Sequence, residues 1–274
     1  MQGIVSIGDM IDYKTLLDQV IEMALEAWCA IMEVYADPVV TIKADASPLT
    51  AADLASDRVI SAGLNQLDLG WPLLSEESEP IDLEIRHNWS RFWLIDPLDG
   101  TKEFIRRNGE FTVNIALIEN GEPLLGVVYA PVLDVCYFAA RGQGAFVRRG
   151  KAAAQRIQVK THHAGEQISV VASRSHSDER TSALLQKLGD YQCISMGSSL
   201  KICLVAEGAA HLYPRLGPTM EWDTAAAHAV VKLAGGRLCD SSGDELRYNK
   251  ADLHNPEFYV LSSEDTSLFK LIQS

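Results

Sequence analysis

With 274 residues, 47% of them hydrophobic and 22% charged, the chain is long enough for one large domain or two closely joined halves around a buried core. A net charge of −13 and a pI of about 4.9 argue against a nucleic-acid polymer or an anionic membrane as main partner. Cations and local basic groups can still reverse that field at one small-anion site.

Five scattered cysteines, with no C-x-x-C pair, fit neither a disulfide framework nor a zinc site and indicate reduced thiols in a cytosol. The first residues show no basic segment followed by an apolar core, so no secretory leader is expected. Residues 11 to 36 repeat apolar side chains at helical spacing, through Leu16, Val20, Ala24, Ala27 and Ile31. Glu22, Glu26 and Glu33 interrupt that segment, so it should not span a bilayer, and peripheral contact with the cytoplasmic face of a membrane stays open.

A short strand "VVTIKA" follows, and "SPLTAADLASDRVISAGLNQL" predicts a second helix, with Thr50 and Asp53 placed as a capping pair. Residues 70 to 90 are mixed. From residue 91, "RFWLID", "FTVNIALIENGEPLLGVVYAP" and "VCYFAARGQGAFV" alternate like strands joined by Asn-Gly and Gly-rich turns. Beyond about residue 160, strands such as "ISVVAS", "YQCISM", "HLYP", "GRLCD" and "FYVLSS" are separated by helical segments. The expected fold is α/β: an α+β half over residues 1–160, an α/β half over 161–274, and a site in the crevice between them.

"LIDPLDGTKEF" runs an apolar strand into two aspartates, Asp96 and Asp99. Asp-Pro and Asp-Gly are common turn dipeptides, and solvated carboxylates ending a strand would explain both residues. The alternative is a cation between them. Asp96 is expected at the end of a buried strand, and "GTKEF" is expected to open a helix whose first N–H groups attract anions. Carboxylates beside such a helix start suit a phosphate held through Mg²⁺, which takes few protein oxygens and shares substrate oxygens.

"SEES" at 75 to 78, "WLIDPLDGTKEF" at 93 to 104 and "EWDTAAAHAVVKLAGG" at 221 to 236 together resemble the three signatures of the lithium-sensitive, Mg²⁺-dependent inositol monophosphatase superfamily. "SRSHSD", "GSSLKICLVAEG" and "YPR" further resemble its CysQ-type branch of 3'(2'),5'-bisphosphate nucleotidases. That resemblance implies a layered α-β-α-β-α sandwich. It also implies metal ligands at Glu76, Asp96, Asp99, Asp223 and the backbone carbonyl of Leu98. Asp96 would bridge two Mg²⁺ ions, Asp99 and Asp223 would complete the second, and a third ion could sit near Glu76. Glu77 is expected behind the ligands or facing solvent.

On the same resemblance, Thr101 would orient the attacking water and Asp53 would accept its proton, with Glu76 beside them. Helix capping offers both Thr101 and Asp53 another explanation, and Asp223 could likewise be a helix-start cap. Glu76, Leu98, Asp99, Gly100, Thr101 and Asp223 would border the scissile phosphate. Ser173, His176, Lys201 and Arg215 match nucleotide-contacting positions, and an arginine pairs well with a second phosphate. A cap neighbour, a solvated helix face and a surface loop are the plain alternatives for His176, Lys201 and Arg215.

The implied reaction is hydrolysis of adenosine 3',5'-bisphosphate to AMP and phosphate, with the sulfated precursor as a second substrate, in sulfur assimilation. Inositol phosphates and fructose 1,6-bisphosphate are the competing substrates. An inactive relative that binds metal or nucleotide for regulation is the reading from another class.

Overall fold

The structure, a computed structural model, describes residues 11–35, 40–42, 48–163, 165–173, 179–262 and 266–273. In chain order, helix α1 (Tyr13–Tyr35) precedes the small hairpin of β1 (Val40–Ile42) and β2 (Pro48–Thr50) and then helix α2 (Ala51–Gln66). Strand β3 (Leu73–Ser75) and one-turn helix α3 (Leu83–Arg86) fill the mixed stretch. They lead to β4 (Arg91–Asp99), short helix α4 (Thr101–Arg106), β5 (Thr112–Glu119) and β6 (Glu122–Ala130). Strands β7 (Val135–Ala140), β8 (Gly144–Arg149) and β9 (Gln155–Ile157) complete a seven-stranded sheet in simple sequence order. It is antiparallel throughout except where β3 joins β4.

The second sheet is mixed and has five strands. Its elements are β10 (Ile168–Ser173), α5 (Glu179–Lys187), β11 (Tyr191–Met196), α6 (Leu200–Ala206) and β12 (Leu212–Arg215). They continue with α7 (Glu221–Leu233), β13 (Arg237–Asp240), β14 (Phe258–Leu261) and α8 (Thr266–Gln273). The strand order is β11-β10-β12-β14-β13. The sequence did not predict α3, β9 or α8, which are short or weakly patterned.

Side-chain alternation sets the layers, because successive strand residues face opposite sides. Trp93, Ile95, Ile115 and Leu117 pack with α1 and α2 in one core, whereas Phe92, Leu94, Ala116 and Ile118 enter a second core with α6 and α7. On β14, Phe258 and Val260 complete that middle core, and Tyr259 and Leu261 turn to a third with Leu184, Leu185, Leu268 and Ile272. The result is an α-β-α-β-α stack with α6 and α7 shared between the sheets. Helix α7 lies so close to β6 that a Cβ at Gly126 would collide with the Ala226 carbonyl. Among the described residues, no helix is long and apolar enough to cross a membrane.

Candidate active site

Strand β4 carries two of the expected acids, though not as the sequence suggested. It continues through Asp99, and its pairing with β5 shifts register between Asp96 and Asp99. Pro97, which has no N–H to give the ladder, sits inside that irregularity. Asp96 is thus within the strand rather than at its end, and only 1% exposed. Its Oδ1 accepts the Leu98 N–H at 3.0 Å, while its buried Oδ2 has no hydrogen-bond partner.

Glu76, Asp96 and Asp223 each bring a carboxylate oxygen within 4.8 Å of the others. Burial pushes the Asp96 carboxyl well above the usual range, reinforced by the charges of Glu76, Asp99 and Asp223. Burial likewise raises Asp223 to about 8, with Asp99 adding to it. Three converging carboxylates, one with an orphaned buried oxygen, are costly as bare anions and fit a hard divalent cation. Asp223 also accepts the Met220 N–H at 2.8 Å at the start of α7, so cap and cluster member coincide.

Asp99 stands outside that tight trio. The Ser199 N–H donates to its Oδ2 at 2.6 Å, and burial raises its pKa to about 6, partly offset by Lys201. Leu98 is buried, and Gly100 holds a left-handed conformation (φ 92°) where a Cβ would strike the Ser198 hydroxyl. Helix α4 begins at Thr101 as expected but is only six residues long, so its dipole is smaller than a full helix would bring.

Thr101 and Asp53 come together across the fold. The Thr101 hydroxyl donates to Asp53 Oδ1 at 3.4 Å. Asp53 Oδ2 accepts the Thr50 N–H at 2.7 Å and the Thr50 hydroxyl at 2.6 Å, closing the predicted capping pair. Burial raises the Asp53 pKa, against those hydrogen bonds.

A cleft opens beside the acids, lined by Asp99, Gly100, Lys201, Tyr213, Arg215 and Asp223 among others. Lys201 is no solvated helix residue: it is 7% exposed, with Nζ 2.6 Å from the Ser198 carbonyl and 5.7 Å from the centre of the Tyr213 ring. Arg215 ends β12 instead of lying in a surface loop, and its Nη2 donates to the Pro218 carbonyl at 3.0 Å. Ser173 is the last residue of β10, paired with Met196. His176 lies outside the described residues.

The sequence profile of the Inositol monophosphatase family matches residues 12–273. The chain belongs to the inositol monophosphatase family. It is 53% identical over 249 residues to the 3'(2'),5'-bisphosphate nucleotidase CysQ of Escherichia coli (strain K12), covering 89% of this chain and 99% of that relative. The Haemophilus influenzae protein of the same name is 36% identical over 254 residues, 91% of this chain and 93% of its own. Among solved structures, CysQ from Bacteroides thetaiotaomicron superposes with a TM-score of 0.82 at 42% identity, covering 93% of this chain and 99% of that one. Phosphatases of this family depend on metal ions, and the acidic cluster described above is present in this member.

Sequence reasoning passed over Thr112, Asn114, Ser198 and Ser199, which surround Asp99. "GSSLK" was visible only as part of a resemblance. A hint lay in β5, where Thr112 and Asn114 are polar at period-two positions that continue as apolar Ala116 and Ile118.

Proposed function

We propose that the protein is a Mg²⁺-dependent 3'(2'),5'-bisphosphate nucleotidase that hydrolyses adenosine 3',5'-bisphosphate to AMP and phosphate, and its sulfated counterpart likewise, in sulfur metabolism. The observation that carries this reading is the convergence of Glu76, Asp96 and Asp223 beside a cleft lined by Asp223, Lys201 and Arg215. Glu76, Asp96, Asp99, Asp223 and the Leu98 carbonyl would hold two or three Mg²⁺ ions. When bound, those ions supply the positive charge that offsets the carboxylates and the transferring phosphoryl group.

The chain's own groups do the rest. Thr101 donates its proton to Asp53, which leaves its oxygen lone pairs to receive a hydrogen bond from the attacking water. Asp53 is the proton acceptor behind it, and its raised pKa brings it closer to neutrality, where a general base works best. Lys201 commits one ammonium hydrogen to Ser198 and keeps two donors for substrate. With Arg215 it receives the distal 5'-phosphate, a group inositol 1-phosphate lacks. Ser173 and His176 are assigned to the nucleoside on the resemblance alone.

The test is a phosphate-release panel with Mg²⁺ on adenosine 3',5'-bisphosphate, inositol 1-phosphate, fructose 1,6-bisphosphate and 5'-AMP. Adenosine 3',5'-bisphosphate should have the highest kcat/KM. Preference for inositol 1-phosphate would overturn the substrate, and no release with any of the four would overturn the enzyme.

A further inference from the structure

Asp99 is gripped by residues more than ten positions away in sequence. Ser199, at the start of α6, gives its N–H to Oδ2, and the Thr112 hydroxyl lies 3.5 Å from the same oxygen. Thr112 Oγ1 and Ser199 Oγ are 2.8 Å apart, and Ser199 Oγ is 2.8 Å from Asn114 Oδ1. An amide oxygen only accepts, so Ser199 must donate to Asn114, and Thr112 must then donate to Ser199. The row has one direction, Thr112 to Ser199 to Asn114, so the Thr112 proton goes to Ser199 and the Ser199 N–H is the donor to the Asp99 carboxylate. The neighbouring Ser198 hydroxyl sits 2.8 Å from the Asp99 carbonyl and 2.7 Å from the Glu110 carbonyl.

Thr112, Asn114 and Ser199 are all buried, at 0%, 1% and 3% exposure. Burying hydroxyls and an amide costs stability unless each is hydrogen-bonded, and apolar residues at these positions would pack more simply. The Ser199 backbone N–H takes Oδ2 of Asp99, leaving Oδ1 as the one available to a cation.

We propose that Thr112 and Ser199 are positioning residues: the hydroxyl row holds Ser199 in place, and the Ser199 backbone N–H holds the Asp99 carboxylate in the orientation a divalent cation needs. They thereby tie the metal centre of the first sheet to the helix layer that carries Lys201. The proposal rests on the metal reading above. Groups that orient metal-binding carboxylates typically cost about 10–100-fold in metal affinity when removed.

The test is Mg²⁺ titration of the full chain by calorimetry, with thermal melts in chelator. Thr112→Val and Ser199→Ala, which keep the Ser199 N–H but remove the row that anchors it, should each weaken Mg²⁺ binding by about tenfold or more, and Thr112→Ser, which keeps the hydroxyl, should bind as the unmutated protein does. Wild-type affinity in either folded variant overturns the proposal, even if its melting temperature has fallen, because that pattern marks packing alone. Should one variant not fold, the other decides. If the unmutated protein itself binds no Mg²⁺, the metal reading fails instead.

Discussion

The Thr101 hydroxyl meets Oδ1 of Asp53 at 3.4 Å, while Oδ2 of the same carboxylate closes the cap at Thr50. One side chain thus fixes a helix start and faces the proposed water-orienting hydroxyl. Asp53→Asn keeps the size of the group and one acceptor oxygen but no longer takes up a proton. Turnover should fall about 10²–10⁴-fold, with the circular dichroism spectrum unchanged. A folded Asp53→Asn protein at full rate would remove Asp53 from the reaction.

Asp96→Asn and Asp223→Asn should each lower phosphate release by about 10²–10³-fold or more, since each removes charge that a cation and the developing phosphoryl charge require. Circular dichroism checks that the fold survives, and full activity in either variant would sink the metal-site assignment.

The metal-free protein should respond to pH in a defined direction. Asp223 is raised to about 8, and Asp99 to about 6, mainly by burial. The folded state therefore holds protons that the unfolded chain releases near pH 4. Stability from these groups is complete below about pH 4 and is lost as pH rises through 6 to 8. Melts in chelator should show that fall, Asp223→Asn should flatten it, and Mg²⁺ should restore stability most at high pH. A Mg²⁺ effect independent of pH would contradict the raised pKa values of these acids.

Arg215→Ala should raise KM for adenosine 3',5'-bisphosphate with little change in kcat. A charge-assisted hydrogen bond to phosphate contributes about 1.5–3 kcal/mol, so the loss should be roughly 10–150-fold. With 3'-AMP, which lacks the distal phosphate, the variant should lose little further. Equal losses on both substrates would show that Arg215 does not read that phosphate.

Glu221, fully buried beside Trp222 and Asp223, accepts the Asn249 N–H at 2.6 Å and the Lys250 N–H at 3.0 Å, and pairs with Lys250 Nζ at 2.5 Å. Lys250→Met leaves that carboxylate two backbone donors but no cation. The expected loss is about 2–3 kcal/mol, measured by urea unfolding. A change below about 0.5 kcal/mol would place the pair in the range of ordinary surface bridges.

Much of this was legible in the chain because it is local. The strand alternation from Arg91 to Val147, the helical face of α1 and the Thr50–Asp53 cap each depend on residues a few positions apart, and the structure contains them all. The acids were legible as residue types, whereas Asp99's separation from the other three was not. The Asp99 carboxylate is instead held by the N–H of Ser199, 100 positions away, beside a hydroxyl row whose members only the folded chain brings together. Short elements such as β9 and α8 escaped because three or eight residues hold too little period to read.

Gly126 lets α7 press against β6, and in doing so makes the middle layer common property of both sheets. If the chain were cut between Ile157 and Ile168, Glu76, Asp96 and Asp99 would leave with one piece, and Asp223, Lys201 and Arg215 with the other. Each fragment would also bare the apolar face that now meets its counterpart, which favours their rejoining. Hydrolysis would then work as a coincidence detector, silent in either fragment and restored only when the two reassemble.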